Sequence, residues 1–331
     1  MELENSFKSM LAQIQAKAEA RQSVTHEPAT EPEPVQASAR AKVVQLPLWA
    51  NETRGVPNAV LRSALFGAIK RGRRAFMQRV AKASVDGLTV LQTGPQLDQS
   101  DLDVWEQCMH LAKDQGLGTR IEFTAHSFLK SIDRTTGKSQ HEWLKGAFAR
   151  LASSVVEIKD GKRAYFGAMI HHGTRDDDSG RYVIEINPAI AKLYGSDGWT
   201  AVEREQRLAL KKQPLAQWLH GFYSTHASPY AFKIETLHKL CGSETSELRS
   251  FTQTLKKSLA AVCAETGWTW NIDESGLVHV KKLAIGTQKR HLARKAKKAR
   301  HSTCKGTAKN TPQTRSRSGL QRFAKNVLIL F

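Results

Sequence analysis

The side chains in this sequence best placed to do chemistry are ones that hold nucleic acid rather than ones that make or break bonds. Residues 247–265 carry Leu248, Phe251, Leu255, Leu259 and Val262 at helical spacing, and the opposite face carries Arg249, Ser250, Gln253, Lys256 and Lys257. Arginine can pair with guanine and glutamine with adenine, whereas lysine and serine more often hold phosphates. Just ahead lie Ser243, Thr245 and Ser246, which can donate to phosphate at the start of that helix. Glu244 and Glu247 stand among them, placed either to cap the helix or to accept from cytosine. A second set of the same kind is Lys138, Ser139, Gln140, His141, Lys145 and Arg150. Lys159, Lys162 and Arg163, which follow the 138–150 set, and Lys281 and Lys282, which follow the 247–265 helix, could reach flanking backbone. Taken singly, each of these residues reads more readily as solvation of an exposed helix face. Two basic faces at equivalent places in one chain point to DNA.

Groups suited to catalysis are scarce. His171 and His172 are adjacent at a strand end, where alternation would send their rings to opposite faces and keep them from sharing a metal. Asp176, Asp177 and Asp178 read as a solvated loop. No G-x-x-x-x-G-K-[ST] occurs, so a P-loop ATPase is unsupported. Cys108, Cys241, Cys263 and Cys304 form no C-x-x-C pair, which disfavours a zinc ribbon and fits a reducing cytoplasm. The expectation is a protein that is not an enzyme and uses no cofactor and no metal.

The elements that must position the basic faces follow from periodicity. Residues 58–66 suggest a helix, 80–93 an extended stretch turning at Asp86-Gly87, and 98–115 a helix with Leu102, Trp105, Cys108, Met109 and Ala112 on one face. A short strand at 121–123 leads to a helix capped by Thr124, a polar turn at 133–137, and a second helix over 139–153 burying Leu144, Ala147, Phe148 and Leu151. Residues 155–159 and 164–170 flank Asp160-Gly161 as a β-hairpin. The order recurs. An extended stretch at 182–186 and a short helix after Pro188 precede helices at 213–226 and 234–241, a stop at Gly242, the long helix 247–265, and a hairpin of 268–272 with 277–281. Helix–turn–helix followed by a hairpin is a winged helix, and its recurrence is an internal structural repeat. The second helix of such a unit enters the major groove. The expected fold is α+β, mostly α, with tandem winged-helix domains at 57–178 and 179–283. Residues 1–56 hold a short helix, a flexible linker and an apolar peptide, and 284–331 form a basic disordered tail.

Charge agrees with that plan. The chain has 50 Lys+Arg against 31 Asp+Glu, a net charge of +19 that calls for an anionic partner. From Gly286 to Phe331 there are 13 Lys/Arg and no acid, so the rest of the chain carries 19 − 13 = +6. The tail reads either as a non-specific DNA-binding arm or as a solvated extension. No run of eighteen apolar residues is present, which argues against a transmembrane helix, and Glu2 and Glu4 with no apolar stretch after them argue against a signal peptide.

Residues 43–49, Val-Val-Gln-Leu-Pro-Leu-Trp, stand between the linker and the first domain. Such a string can dock in extended form in an apolar groove, with Pro47 limiting the conformations lost on docking. It resembles the Gln-Leu-x-Leu-Phe peptide by which bacterial replication proteins bind the polymerase sliding clamp, with Gln45, Leu46, Leu48 and Trp49 in the matching places and Trp49 where Phe is usual. The other reading is an apolar segment that packs on its own domain.

The folded part as a whole resembles the TrfA-type plasmid replication initiators. The resemblance is carried by Pro57-Asn58, Arg62-Ser63-Ala64-Leu65-Phe66, Leu102 with Trp105-Glu106-Gln107, Tyr182 to Ile186, Pro229-Tyr230, Lys233 to Thr236, and Leu240-Cys241-Gly242-Ser243. It implies a bacterial cytoplasmic protein whose two winged helices bind repeated origin sequences, the iterons. It further implies opening of an AT-rich segment, contact with single-stranded origin DNA, help from the host initiator, and loading of the host helicase and sliding clamp. Members exchange between a dimer and an iteron-binding monomer, the first winged helix making much of the dimer contact. Two other readings stand beside this one: a winged-helix transcriptional regulator, overlapping with autorepression and plasmid copy control, and a non-specific architectural DNA-binding protein.

Overall fold

In the computed structural model, the residues described are 45–284, apart from 70–71, 73, 86, 116–119, 162 and 196–197, together with a few positions outside that span. The helix expected near the N-terminus, the linker up to residue 42, and most of the basic tail lie outside the described residues. No described helix is long and apolar enough to cross a membrane.

After the coil at 45–50, the chain runs β1 (Thr53–Pro57), α1 (Asn58–Leu61), β2 (Phe66–Gly67), β3 (Phe76–Lys82), β4 (Leu88–Pro95), β5 (Leu97–Asp98) and α2 (Gln99–Gln115). There follow β6 (Arg120–Thr124), α3 (Ala125–Ser131), α4 (Lys138–Ser153), β7 (Val155–Asp160), β8 (Arg163–Ala168), β9 (His172–Asp176) and β10 (Arg181–Glu185). A 3-10 helix at Pro188–Tyr194 leads to β11 (Trp199–Glu203), α5 (Arg204–Ala209), α6 (Pro214–Ser224), β12 (Phe232–Lys233), α7 (Ile234–Leu240), α8 (Leu248–Thr266), β13 (Thr269–Ile272) and β14 (Leu277–Lys281). Helix and sheet are both prominent, so α+β describes the chain.

Local signals account for the pieces that carry the basic faces. Thr124 accepts from the Ser127 backbone N–H at 3.2 Å and starts α3. In α4, Leu144, Ala147, Phe148 and Leu151 are buried, as their spacing predicts. In α8 the buried set is Phe251, Leu255, Ser258, Leu259 and Val262. Leu248, expected on that face, is 38% exposed because the helix begins there, before its core side turns inward. Gly242 ends α7 with φ +64, a left-handed conformation suited to glycine.

Long-range pairing departs from the sequence reading in three places. The helix expected over 58–66 stops at Leu61, because Ser63 bridges to Ser84 and β2 pairs in parallel with β5. The hairpin β7–β8 does not stand alone but completes a four-stranded sheet in the order β3-β4-β7-β8. The division expected at 178/179 falls inside the first core: β10 pairs with β6, β11 pairs with β1, and one apolar cluster runs from Leu46 to Val202. The second cluster begins at Leu210 and takes in α6, α7, α8 and β14, with a separate sheet in the order β12-β14-β13.

Polar bonds join the two cores. Arg207, 1% exposed, sends Nε to Asp103 at 2.8 Å and Glu106 at 3.3 Å, and its other nitrogens to Gln99 and to the Gln217 carbonyl. Burial outweighs that guanidinium at Glu106 and pushes its carboxyl up to about 7. Arg62 donates to the Thr225 hydroxyl and carbonyl, both at 2.8 Å, and the Trp218 indole N–H donates to the Ser63 carbonyl at 3.2 Å.

Candidate nucleic-acid interface

In the second unit, α7 and α8 are joined by residues 241–247 as a compact turn. His238 Nε2 meets the Thr245 carbonyl at 2.8 Å, and the same imidazole sits edge-on to Phe251 with centroids 4.6 Å apart. The Ser243 hydroxyl accepts from the Thr245 N–H at 3.3 Å. One histidine thus ties the turn to both helices. That role was invisible in the sequence, because it rests on a carbonyl seven residues away. Ser243 and Thr245 are half-buried, whereas Ser246 is exposed at the start of α8. Glu247 occupies the cap position without a side-chain hydrogen bond, so the capping role open to it is not used.

From this turn α8 projects Arg249, Ser250, Gln253, Lys256 and Lys257, all exposed. Residues 249, 253, 256 and 257 are spaced by four, three and one, so they share a face opposite Leu255 and Leu259. None of these four side chains has an ion pair or hydrogen bond among the described residues. A face of two lysines, one arginine and one amide, with its donors free, can bind phosphate oxygens and base edges. Lys281 is exposed at the end of β14. Lys282 is not available as expected: its ammonium donates to the Tyr223 carbonyl at 2.9 Å and the Ser224 carbonyl at 3.3 Å and lies 5.0 Å from the Trp268 ring centre. Burial lowers its pKa to about 8.

The first unit is differently placed. Lys138 and Ser139 are exposed at the start of α4. Gln140 is half-buried and accepts from Arg134 at 2.9 Å, while that guanidinium stacks 3.4 Å from the Trp143 ring centre. Lys145 makes ion pairs of 3.1 Å to both Glu142 and Asp177, which raise its pKa. Arg150 is not a free DNA ligand, because it grips Asp101 through Nε at 3.0 Å and Nη2 at 2.7 Å, and the Asp101 side chain is wholly buried. Spacing on α4 placed these two cations on an outward face, but Asp101 and Asp177 from other elements, and Glu142 three residues before Lys145 on α4 itself, meet them there. Lys159 is exposed, and the side chains of Lys162 and Arg163 lie outside the described residues.

The apolar peptide is seated on its own domain. Leu46 and Trp49 are 2% and 7% exposed, whereas Leu48 is 75% exposed. The Gln45 amide donates to the Lys113 carbonyl at 2.8 Å, the Trp49 indole N–H donates to His110 Nδ1 at 3.1 Å, and Lys113 Nζ donates to the Trp49 carbonyl at 3.1 Å. The indole stacks on Tyr194 at 6.0 Å and 11°, and lies so close over Gly55 that a Cβ there would fall 2.4 Å from its ring. Of the two readings open to this peptide, the packed one describes its place in the structure, and three of its four motif residues are engaged there.

Comparison with known proteins matches this span. A family model described as TrfA protein covers residues 19–282. The plasmid replication initiator protein TrfA of Escherichia coli is 23% identical over 246 residues, which cover 71% of this chain and 63% of that protein. The chain therefore spans under two thirds of the length of the curated relative it matches. Among solved structures, domains 2 and 3 of RctB superpose with a TM-score of 0.48 at 13% identity, covering 69% of this chain and 99% of that one. The Pi initiator protein in complex with iteron DNA superposes with a TM-score of 0.42 at 13% identity, covering 54% and 91%. The family match takes in the seated peptide, both helix–turn–helix units and the charge network between them, and on that extent the chain belongs to the TrfA family.

Proposed function

We propose that this protein is a plasmid replication initiator that binds origin iterons through two winged helices, with α8 as the main reading helix. The free cationic face of α8, on the second helix of its unit, carries this reading. The first unit contributes less than its sequence suggests, since Arg150 and Lys145 are already paired; Lys138 and Ser139 remain for phosphate. Action is by binding and deformation of the duplex rather than by bond chemistry. Origin opening, contact with single-stranded origin DNA, recruitment of the host initiator and helicase, and exchange between dimer and monomer belong to the same reading and rest on family membership. A cytoplasmic location follows from such a role.

Selection of random duplexes at physiological salt tests it. One asymmetric motif longer than a single helix–turn–helix can read is the expected result. Retention without a motif, vanishing as salt rises, would replace it with non-specific binding. On the selected site, Arg249→Ala is expected to weaken binding by about 1–3 kcal/mol and leave random-sequence binding nearly unchanged. Equal weakening on both would assign Arg249 to phosphate.

Clamp binding through Gln45, Leu46, Leu48 and Trp49 is part of this proposal, and it requires the peptide to leave its seat. Apparent affinity is then reduced by the fraction of chains in which the peptide is free. Gly55→Ala is expected to displace the Trp49 ring, shift its fluorescence toward that of exposed indole, and tighten clamp binding several-fold. Displacement of the indole with no gain in clamp affinity would mean that the peptide serves the fold alone.

A further inference from the structure

The expectation that His171 and His172 cannot converge fails for a local reason. His171 precedes β9, and its N–H bonds to the Glu185 carbonyl at 3.0 Å. His172 opens the strand and lies opposite Glu185 in the β9–β10 register. Strand alternation therefore does not apply to this pair. The two imidazoles stand with centroids 4.9 Å apart at 69°, and His172 Nε2 lies 3.1 Å from Glu185 Oε2. One ligand atom from each of His171, His172 and Glu185 falls within 4.8 Å of the others.

We propose that His171, His172 and Glu185 form a binding site for a borderline divalent transition ion of the Zn2+ class. Bonds of about 2.0–2.1 Å to nitrogen and oxygen in a tetrahedral site put neighbouring ligand atoms about 3.3 Å apart. The His172–Glu185 pair already has nearly that separation, and the exposed His171 ring needs only a side-chain rotation to reach it. Two imidazoles with one carboxylate select Zn2+, Ni2+ or Cu2+ over Mg2+ and Ca2+, which prefer all-oxygen shells. β9 is the outer strand of the β6-β10-β9 sheet and is exposed along its length, so the site faces solvent. Three protein ligands leave a fourth position for water or for a donor from another molecule.

The test is titration of the full-length protein with Zn2+ in competition with a chromogenic chelator of micromolar affinity. The expected result is one ion bound per chain at this strength. Affinity should fall at least tenfold in each of His171→Ala, His172→Ala and Glu185→Gln, and stay unchanged in His126→Ala, an exposed histidine outside the cluster. The substituted side chains lie at the surface, and a melting curve for each variant confirms that the fold is kept. Absence of micromolar binding by the unaltered protein would overturn the site. So would persistence of that binding when both His171 and His172 are alanine.

Discussion

Arg207→Ala is expected to remove about 3–5 kcal/mol of folding stability, the range seen when one partner of a buried ion pair is deleted. The guanidinium is 1% exposed and engages Asp103, Glu106, Gln99 and the Gln217 carbonyl. Without it, Asp103 and Glu106 face each other with less compensation, and Glu106, already pushed up to about 7 by burial, moves higher and takes a proton near neutral pH. Arg54, held by Gln107 at 2.8 Å and lowered to about 10 chiefly by its own burial, and Arg204 are the cations that remain near that carboxylate. Arg207→Met keeps most of the volume and separates the loss of charge from the loss of packing. Urea denaturation of the three proteins at one pH measures the effect. A loss under about 1 kcal/mol for Arg207→Ala would mean that water readily replaces the guanidinium.

Acid is expected to weaken the second core before its carboxylates titrate. His220 is buried, with Nε2 3.1 Å from Gln206 Oε1 and no hydrogen-bond partner at Nδ1 among the described residues. Burial, with Arg207 and Lys282 nearby, lowers its pKa to about 3. His226, whose Nδ1 meets the Phe222 carbonyl at 2.9 Å, is lowered to about 4, again chiefly by burial. An unfolded histidine titrates near 6.5, so below that pH the unfolded chain binds protons that the folded chain refuses. The stability that these two buried neutral histidines contribute is therefore complete above about pH 6.5 and declines as pH falls toward the folded values. At pH 5 the decline amounts to about 2 kcal/mol from His220 and somewhat less from the partly exposed His226. Glu106, pushed up to about 7, contributes with the opposite sign over the same range, so the contrast between proteins is the test. Between denaturation curves at pH 7.5 and pH 5, the change in stability is expected to be about 2 kcal/mol less unfavourable in His220→Phe than in the unaltered protein. An unchanged difference in that variant would place the acid sensitivity elsewhere.

The helix pairs α3–α4 and α7–α8 were legible because their signals are local. Thr124, the leucine spacing of α8, Gly242 and the Asp160-Gly161 turn act within a few residues, so the sequence alone carries them. The four-stranded sheet and the pairing of β1 with β11 were not legible, because their partners lie far apart in the chain. The candidate site divides the same way. The exposed face of α8 follows from helical period, and the structure leaves it free. Arg150, Lys145 and Lys282 carry the right charge at the right spacing, yet a buried carboxylate, two surface acids and two main-chain carbonyls claim them. Apart from Glu142, which helical spacing sets beside Lys145, these partners come from other elements, and no periodicity encodes them. The seat of Trp49 is a case of the same kind: His110, Tyr194 and Gly55 come from three separate parts of the chain.

The pairing of β1 with β11 bears on how such a protein can be inherited in pieces. Thr53 lies opposite Glu203, so the first core is a ring of about 150 residues closed on itself, and β10 within that ring is held by β6. A recombination junction near residue 178 would pass on a sheet without its partner strand. A junction just beyond α5, where the first core is complete and the second begins at Leu210, keeps each set of strands whole. A chimera that joins the first core of one such chain to the second core of another is thus expected to fold only with its junction near that point, with Arg207 and its acids on the same side.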